Sequence, residues 1–525
     1  MKIAVIVDDM QVADWQSRVL AAAGASEILV YNCTNSRPSR KRLKHAFYYA
    51  LNLVSIRNPA TRRKPLRDCG LPLGRTRDFE SEYEGAWQRL PGALLTEIGR
   101  DRPAVILKFG MNLLRIPPAA ELPVPILSYH HGDPDHYRGR PAGFYELLHG
   151  RRELGQIVQV LSNALDAGRV VAFGETKVVA HSYRATLVEA YRKSPLLIRA
   201  ALDRALRGEF LLKSSSGAIY RLPSNRTVLS LVRKMGGAGL KRLVYGAFFE
   251  KAWQVSTVEL GPADAQVLPP PLPPQASWRT LDCPLGYSFV ADPFFSPGGE
   301  AILVEALDSA RGKGAVFRLS AHEAVRISPG SGHYSYPAPF REGDIDYVVP
   351  EISLWSGPTA FRYSPAGLEP AGALKVPGAP PLVDPTLFRR DGKVYLFASL
   401  LSEGNGVLRL WCSDGLFEPF EEHPGSPLRV SPAGSRMGGA ILDLGGRLVR
   451  FGQDDRGGYG DGLILFEIET LTPRSYREEE IGTLRFDAVK GPHTFNLNGN
   501  RAVFDWYRER FALYAGIRRL RGRLL

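Results

Sequence analysis

The sequence predicts two fold classes in one chain, an α/β doubly wound domain followed by an all-β five-bladed propeller. Up to about residue 180, continuous apolar runs of strand length alternate with helical stretches. From residue 252 onward, short β-type runs separated by Gly and Pro turns take over and contain a weak repeat. We therefore expect an α/β domain over residues 1–180, a basic helical linker over 181–251 and the propeller over 252–525.

The α/β prediction rests on four apolar runs that read as buried parallel strands, KIAVIVDD, SEILVYN, PAVILKFG and VPILSYHHG. In a doubly wound sheet, ligands bind at the carboxyl ends of the strands. The two later runs end at Gly110 and at the pair His130 and His131. These positions are the first candidates for a site.

The propeller prediction rests on five repeats, each of which reads as a strand, a Gly-containing turn and a second strand. Their anchor residues are separated by 45, 47, 54 and 55 positions, which suits one four-stranded blade per repeat. The anchors are Asp292, Pro337, Asp384, Gly438 and His493. The segment Trp253–Glu259 is expected to be the strand that joins the two ends of the ring.

The net charge of +13 is unevenly distributed. Segments 36–67, 184–251 and 508–525 together carry +25, so the rest of the chain carries −12. Neither candidate pocket shows the basic residues interleaved with aromatics that are typical of nucleic-acid binding. We expect no nucleic-acid partner, and the basic segments indicate contact with a membrane surface or a phosphorylated lipid carrier.

One basic segment, Lys41–Arg57, also has helical periodicity, with apolar residues at Leu43, Phe47, Ala50, Leu51 and Val54. Such a helix can lie on an anionic bilayer or pack on its own domain, and the sequence leaves both open.

The remaining composition excludes several classes of protein. The four cysteines are too far apart in sequence for a zinc-ligand pattern, and no metal site is expected. The N-terminal apolar run is too short for a signal peptide, and no run reaches the length of a membrane span. The expected location is the cytoplasm, with peripheral contact at the inner membrane face.

The segment after the fourth run contains a series of separated motifs. These are His131-Gly132, Tyr137-Arg138-Gly139, Gly150, Gly155 and Leu165-Asp166-x-Gly168. In order and spacing, this series resembles the folate-dependent formyltransferases, the group that contains methionyl-tRNA formyltransferase and the sugar N-formyltransferases. The resemblance covers about residues 1–175.

The resemblance implies transfer of a formyl group from 10-formyltetrahydrofolate to an amine. Such a transfer passes through an oxyanion and releases a proton, so it needs a hydrogen-bond donor and a base. By resemblance, His131 polarises the formyl group or moves the proton, and Asp166 orients it. Gly110, Arg138, Gly139 and Asn163 would bind substrate or cofactor, although Arg138 also suits a bracing role.

The chain departs from the family at one position, because Tyr129 stands where the family has asparagine. A tyrosine lacks the paired donor and acceptor of an amide, so Tyr129 or His130 substitutes for it, or the reaction has changed or been lost. A metal site at His130, His131, Asp133, Asp135 and His136 and a purely structural domain are further alternatives. The first βα turn contains no GxGxxG, which disfavours a nicotinamide cofactor.

In the propeller, the ends of the inner strands are expected to bring six side chains to one mouth of the channel. These are Asp292, Glu305, Glu351, Asp384, Asp454 and His493. This arrangement resembles the five-bladed propellers of the arabinanase and fructosidase type of glycoside hydrolases, in which first- and third-blade aspartates line a sugar pocket. The Asp-Pro pairs at 292 and 384, with VPE at 349, GQD at 452 and PHT at 492, resemble still more the N-terminal propeller of the plant glucosamine inositolphosphorylceramide transferases, over about residues 252–515.

Glycoside hydrolysis needs two carboxyl groups, one of them protonated. The stretch that matches the hydrolases' fourth-blade glutamate is Arg436-Met437-Gly438-Gly439, which has no carboxylate, and Glu351 could substitute. Glycan or glycolipid-headgroup binding, glycosyl transfer or hydrolysis, and a structural role with Asp-Pro as a strand cap all stay open.

The leading hypothesis is a carbohydrate-modifying enzyme that transfers a formyl group to an amino sugar while the propeller holds the glycan. The alternative from another class is a non-catalytic glycan-binding or assembly protein at the inner membrane face.

Overall fold

The computed structural model describes residues 1–36, 42–55, 57–308, 311–321, 323–352 and 357–524. The chain divides into two compact units, residues 1–240 and residues 241–525. Among the described helices, none combines the length and the apolar composition that crossing a bilayer requires.

Unit 1 is built on a nine-stranded sheet and several smaller strands. Its strands are β1 (Lys2–Asp8), β2 (Gln11–Ala13), β3 (Glu27–Cys33), β4 (Arg63–Pro65), β5 (Leu73–Phe79), β6 (Glu82–Glu84), β7 (Trp87–Arg89), β8 (Ile106–Lys108), β9 (Leu113–Leu114), β10 (Ile126–His130), β11 (Tyr137–Gly139), β12 (Glu153–Val160), β13 (Arg169–Lys177) and β14 (Ala218–Tyr220).

The strands β5, β3, β1, β8 and β10 pair in that order and are all parallel, whereas β12 and β13 continue the sheet antiparallel. The predicted α/β class and its four apolar strands are confirmed. The chain adds β3 on one side of β1 and β8 on the other, so the strand order reverses beside β1. In open α/β sheets this switch point forms a crevice at the carboxyl ends of the strands.

The helices of unit 1 are α1 (Asp14–Ala22), α2 (Ala46–Ser55), α3 (Gly92–Asp101), α4 (Phe144–His149), α5 (Tyr183–Lys193), α6 (Ile198–Arg207) and α7 (Asn225–Phe248), the last of which runs past the unit boundary. On one face of the sheet, Ala4 and Ile6 of β1 share a core with Leu94 and Ile98 of α3. Residues 3–7 of β1 are all fully buried, as expected of a parallel strand covered on both faces.

The amphipathic helix predicted over Lys41–Arg57 is only partly described, because Lys41 and Ile56 lie outside the described residues. The rest forms a 3-10 turn over Leu43–His45 and then α2. Most of the predicted apolar stripe is not buried: Leu43 is 90% exposed and Val54 is 71% exposed. The helix instead packs through Tyr48.

Unit 2 is all-β except for the short α8 (Ala515–Leu524), short 3-10 turns and the end of α7. Its strands are β15 (Phe249–Glu259), β16 (Arg279–Thr280), β17 (Phe289–Phe295), β18 (Ile302–Asp308), β19 (Lys313–Leu319), β20 (Ala324–Arg326), β21 (Ser335–Glu342), β22 (Ile345–Glu351), β23 (Thr359–Ser364), β24 (Gly367–Ala373), β25 (Leu382–Arg390), β26 (Lys393–Leu400), β27 (Val407–Ser413), β28 (Glu421–Glu422), β29 (Arg429–Val430), β30 (Ala433–Met437), β31 (Leu442–Leu444), β32 (Arg447–Asp454), β33 (Leu463–Leu471), β34 (Tyr476–Leu484), β35 (Phe495–Asn498) and β36 (Arg501–Phe511).

These strands form five antiparallel sheets. The first has the order β16-β15-β36-β35, and the next two are the meanders β17 to β20 and β21 to β24. The fourth contains β25 to β29 and the fifth contains β30 to β34. Each predicted repeat supplies a strand pair of one sheet, and the predicted strand Trp253–Glu259 lies in β15, paired with β36 near the end of the chain.

The first strands of three sheets share an irregularity that bears on the site. Asp292, Tyr336 and Asp384 each precede a proline and have positive φ values of 49°, 45° and 50°. Each lies where the register with the next strand shifts. Left-handed backbone at a non-glycine residue costs energy and is concentrated at functional sites, so these bulges mark the candidate site of unit 2.

The core of unit 2 yields a stability prediction. Phe397 of β26 is fully buried in an apolar cluster to which four of the sheets contribute. We expect Phe397→Ala to lower the free energy of unfolding by about 3–5 kcal/mol, because it removes apolar contacts and leaves a cavity. Urea unfolding measures the change, and Leu401→Ala, at a site that is 48% exposed, is the control. Similar small losses in both variants would contradict this packing.

Candidate functional site

At the end of β10, neighbouring side chains point to opposite faces of the sheet. Tyr129 donates a hydrogen bond from its hydroxyl to the Ser194 carbonyl (3.0 Å), and His131 Nε2 lies 2.9 Å from Ser194 Oγ. The His131 ring packs against Trp15 and Tyr191, with centroids 5.2 and 4.7 Å away. Burial lowers the pKa of His131 to about 3, so this imidazole is neutral.

His130 lies on the other face, beside Asp166. Its Nδ1 is 3.5 Å from Asp166 Oδ1, and its Nε2 is 3.0 Å from the Tyr137 carbonyl. Asp166 also accepts a hydrogen bond from Gly139 N (2.8 Å). The expected pair of His131 with Asp166 is therefore wrong, because successive residues of a strand face opposite sides. The histidine that Asp166 contacts is His130.

Two residues that the sequence analysis did not single out lie at the switch point. Burial lowers the pKa of Lys108 to about 8, against the opposing charges of Asp8 and Asp166. Asp8 accepts a hydrogen bond from Met111 N (3.0 Å). Gly110 permits this approach, because a Cβ there would lie 2.6 Å from the carbonyl carbon of Val7. Their positions at the ends of the first and third apolar runs were the available signal.

The other predicted binding residues of unit 1 hold loops together. The Arg138 guanidinium donates two hydrogen bonds to the Leu165 carbonyl (3.0 and 2.6 Å). The Asn163 side chain accepts from Ile116 N (2.8 Å) and donates to Ile116 O (3.1 Å). The structure thus gives Arg138 the bracing role and ties Asn163 to a neighbouring loop.

The cavity beside His130 is too small for a folate. Its volume is about 10 Å³, which is room for about one water molecule, whereas ligand pockets usually measure ~300–1,000 Å³. Strand β14 closes it: a Cβ at Gly139 would lie 2.1 Å from the Tyr220 carbonyl oxygen. The residues present do not fit 10-formyltetrahydrofolate in this cavity, and we derive no step through that cofactor.

The metal alternative in unit 1 is not supported by the contacts of its acids. Lys213 Nζ lies 3.2 Å from Asp133 and 3.4 Å from Asp135. Ser214 donates a further hydrogen bond to Asp135 (2.9 Å). Within the described part of the chain, the one group of metal-ligand type lies instead in unit 2, at Asp292, His493 and Asp505.

In unit 2, His493 lies between two carboxylates. Its Nδ1 is 3.0 Å from Asp292 Oδ1 and 3.3 Å from Asp505 Oδ2. Burial alone would lower the pKa of His493, but these two charges raise it to about 10. The imidazole is therefore protonated, and its charge lowers the pKa of Asp292.

Asp384 is held by an arginine from the fifth sheet. The Arg436 guanidinium donates from Nε and Nη2 to the two carboxylate oxygens (2.7 and 2.9 Å), a bidentate pair. Gln453 Nε2 donates a third hydrogen bond to Asp384 (2.8 Å). Arg436 also lies 4.0 Å from Glu351, so the residue found where the hydrolases have glutamate binds two of the predicted carboxylates.

Two glutamates, Glu351 and Glu305, lie beside these residues. Burial and the charge of Asp384 raise the pKa of Glu351 to about 8, and Asp384 N donates to its carboxylate (3.2 Å). Burial and the charges of Asp292 and Glu351 raise the pKa of Glu305 well above its usual range. We call Asp292, Glu305, Glu351, Asp384, Asp505, Arg436 and His493 the buried ionic cluster.

The structure brings together five of the six predicted propeller residues. The sixth, Asp454, is bound by Arg456 (2.8 Å) and by Arg485, and its neighbour Gln453 reaches the cluster instead. Tyr336, which stands at the bulge equivalent to Asp292 and Asp384, hydrogen-bonds Thr386 (2.9 Å) and Gly439 N (2.9 Å). The Tyr-Pro pair in the second repeat was the signal for it.

The cluster contains an ionised carboxylate, neutral carboxylic acids at neutral pH, an imidazolium and a guanidinium. His493 Nε2 is buried and has no hydrogen-bond partner within the described residues. Tyr459, which is 40% exposed, stands over His493 and Arg436, with its ring centroid 4.6 Å from the His493 ring. Groups with pKa values pushed in opposite directions can give and take protons, and they can bind sugar hydroxyls.

The charge of His493 yields a prediction. The raised pKa means that imidazolium stabilisation of the folded state is complete below pH 6.5 and is lost as the pH rises through about 10. We expect NMR of ring-labelled histidine to show His493 still protonated at slightly alkaline pH. Asp292→Asn should bring its pKa down towards about 6.5. The exposed substitution Asp391→Asn is the control, and a pKa that Asp292→Asn leaves unchanged would refute the pairing.

A family model described as the N-terminal part of glucosamine inositolphosphorylceramide transferase 1 matches residues 287–505. That range contains the whole buried ionic cluster. The glucosamine inositolphosphorylceramide transferase 1 of Oryza sativa subsp. japonica is 31% identical over 224 residues. The matched region is 40% of this chain and 30% of the rice protein, so the chain spans under a third of its relative's length.

Two solved structures are also similar. An N-formyltransferase of Helicobacter canadensis, in complex with folinic acid and dTDP-3-aminofucose, is 10% identical with a TM-score of 0.28, over 45% of this chain and 80% of that one. An exo-β-1,3-galactanase of Clostridium thermocellum is 13% identical with a TM-score of 0.28, over 39% of this chain and 50% of that one. At these TM-scores neither similarity bears on activity.

Proposed function

We propose that this chain is a carbohydrate-modifying transferase and that the buried ionic cluster of unit 2 binds the sugar headgroup of its substrate. The proposal rests on one observation. The acids, Arg436 and His493 lie together, and all of them belong to residues 287–505, which match the family model. The name of the rice relative supports a glucosamine- or inositol-phosphate-containing glycolipid headgroup as the substrate class.

The cluster is partly exposed to solvent at one side, which supports entry of a headgroup there. The side chains of Glu351 and Arg436 keep exposed fractions of 13% and 9%, and Tyr459 beside them is 40% exposed. A binding site of this kind places an aromatic ring next to a few fixed polar groups, which set the orientation of the ligand.

We further propose that the five sheets are the blades of a propeller. The first strands of successive sheets pack against one another, β17 on β21, β21 on β25 and β25 on β30. Phe495 N of β35 donates to the Gly438 carbonyl beside β30 (2.9 Å), and Asn496 donates to the Pro293 carbonyl in β17 (2.7 Å). These bonds support the predicted closure.

Glycosyl transfer or hydrolysis in the cluster is a second candidate, and the pKa values favour it. Such chemistry needs one protonated and one ionised carboxyl group. With a pKa raised to about 8, Glu351 is the protonated acid at neutral pH, and Asp292, whose pKa is lowered, is the carboxylate. Asp384 is held by Arg436, which leaves it a positioning role. Headgroup binding without turnover would identify the non-catalytic alternative.

The headgroup proposal is tested by calorimetry with glucosamine and inositol phosphate as ligands. Arg436→Met should weaken binding by roughly tenfold or more, because it removes a charged donor and leaves Asp384 without its partner. Arg409→Met, which removes an arginine paired with Glu403 and Glu422, is the matched control. Absence of binding to the native chain, or equal weakening in both variants, would contradict the proposal.

Formyl transfer in unit 1 to an amino sugar is the remaining candidate. His130 and Asp166, with Lys108 at the switch point, favour it, since a base and a cation of lowered pKa suit proton transfer. The size of the cavity beside His130 stands against it. We place this activity in the cytoplasm, where 10-formyltetrahydrofolate would be the donor.

The formyl-transfer candidate predicts a formamide when the protein is incubated with 10-formyltetrahydrofolate and amino-sugar nucleotides. His130→Ala should reduce the rate by ~10²-fold or more, as expected for loss of a proton-transferring group. His149→Ala is the control. If the native chain forms no formamide and binds no folate, unit 1 is not a formyltransferase.

A further inference from the structure

Within unit 1, helix α7 carries an apolar stripe that is largely exposed to solvent. Leu229, Val232 and Leu240 are 53%, 45% and 64% exposed. With Gly236 they recur at intervals of three and four residues, the spacing of one helix face. A Cβ placed at Gly236 would meet no atom within 4 Å, so the middle of this face is also open.

The side of α7 next to the stripe is packed, which fixes the orientation of the stripe. Val228 and Leu231 are buried in a core cluster of unit 1, and Met235 packs against it. Lys234 Nζ donates to the Leu148 carbonyl (2.9 Å). The helix therefore cannot rotate to bury the stripe without breaking its own packing.

The charges along α7 have one sign. The helix contains five cations and no acidic residue. The cations are Arg226, Arg233, Lys234, Lys241 and Arg242. Lys234 is bonded within unit 1, but Arg226 and Arg233 lie three positions before and four positions after Leu229, beside the stripe. An apolar stripe with cations beside it matches a surface that offers hydrocarbon and negative charge together, which is the interface of an anionic bilayer.

Helix α2 extends this surface within unit 1. Asn225, the first residue of α7, donates from its side chain to the Leu43 carbonyl (3.1 Å) and accepts from Phe47 N (3.0 Å). Leu43 is 90% exposed and Phe47 is 45% exposed, and no acid lies in residues 42–57. Two exposed apolar and cationic segments are therefore joined at the start of α7.

We propose that α7, together with the start of α2, docks this protein on the surface of an anionic membrane, with the stripe in the interface and Arg226 and Arg233 against lipid phosphates. A second copy of the chain fits the same stripe less well. Paired stripes would bring like charges together, with no acid on α7 to compensate, and Gly236 would leave a gap in the seam. Each step rests on the geometry of α7 and is independent of the reaction catalysed.

The test uses the full chain with vesicles of phosphatidylcholine alone or mixed with phosphatidylglycerol. We expect co-sedimentation with the mixed vesicles, weakening as salt is added, and little with the neutral ones. The double variant Leu229→Asp with Leu240→Asp should weaken binding at least ~tenfold, because it places charges where apolar side chains enter the interface. Leu212→Asp, at a fully exposed leucine outside the stripe, is the control and should bind as the native chain does.

Three results would overturn the proposal. They are the absence of sedimentation at low salt, equal sedimentation with neutral vesicles, and a vesicle-free dimer that the double variant dissociates. The last result would assign the stripe to a second copy of the chain. The folded state of each variant is verified by circular dichroism, and because the substituted leucines are solvent-exposed, loss of binding by a folded variant supports the docking face.

Discussion

Unit 2 depends on the balance of charge in its buried ionic cluster. Five acidic side chains from different strands lie in or near the interior, and among the described residues the cations beside them are Arg436 and His493. A buried charge without a partner costs several kcal/mol, so the sheets must hold these groups at hydrogen-bonding distance. Burial and the neighbouring acids raise the pKa values of Glu351 and Glu305, which provides a protonated acid beside the ionised Asp292.

Three residues in or beside this cluster have left-handed backbone conformations. Asp292, Tyr336 and Asp384 adopt left-handed conformations that cost ~1–3 kcal/mol each for non-glycine residues. Each strained residue is anchored by a side-chain bond to another sheet: Asp292 to Thr494, Tyr336 to Gly439, and Asp384 to Arg436. The strained backbone and the cross-sheet bonds therefore act together to direct a polar side chain inwards in three of the five repeats.

The elements of both units could be predicted from the sequence, because strand runs and the repeat are local patterns. Two site residues were predicted wrongly because the sequence does not show which face of the sheet each residue at the end of a strand occupies. His130 rather than His131 meets Asp166, and Gln453 rather than Asp454 meets Asp384, each one residue from the expected position. A shift of one residue reverses the face of a strand. Lys108 ends an apolar run, but its burial beside Asp8 and Asp166 and the closure by β14 depend on contacts between distant segments, which no local pattern records.

Each candidate site contains a buried polar atom without a hydrogen-bond partner in the described chain. In unit 1 it is Oε2 of Glu146, which lines the cavity of about 10 Å³ beside His130. In unit 2 it is Nε2 of His493, whose Nδ1 lies beside two carboxylates. An unsatisfied buried donor costs about 1–3 kcal/mol unless a ligand completes it. Under the headgroup proposal a substrate oxygen accepts the Nε2 proton and removes that cost, whereas the cavity beside Glu146 has room for about one water molecule.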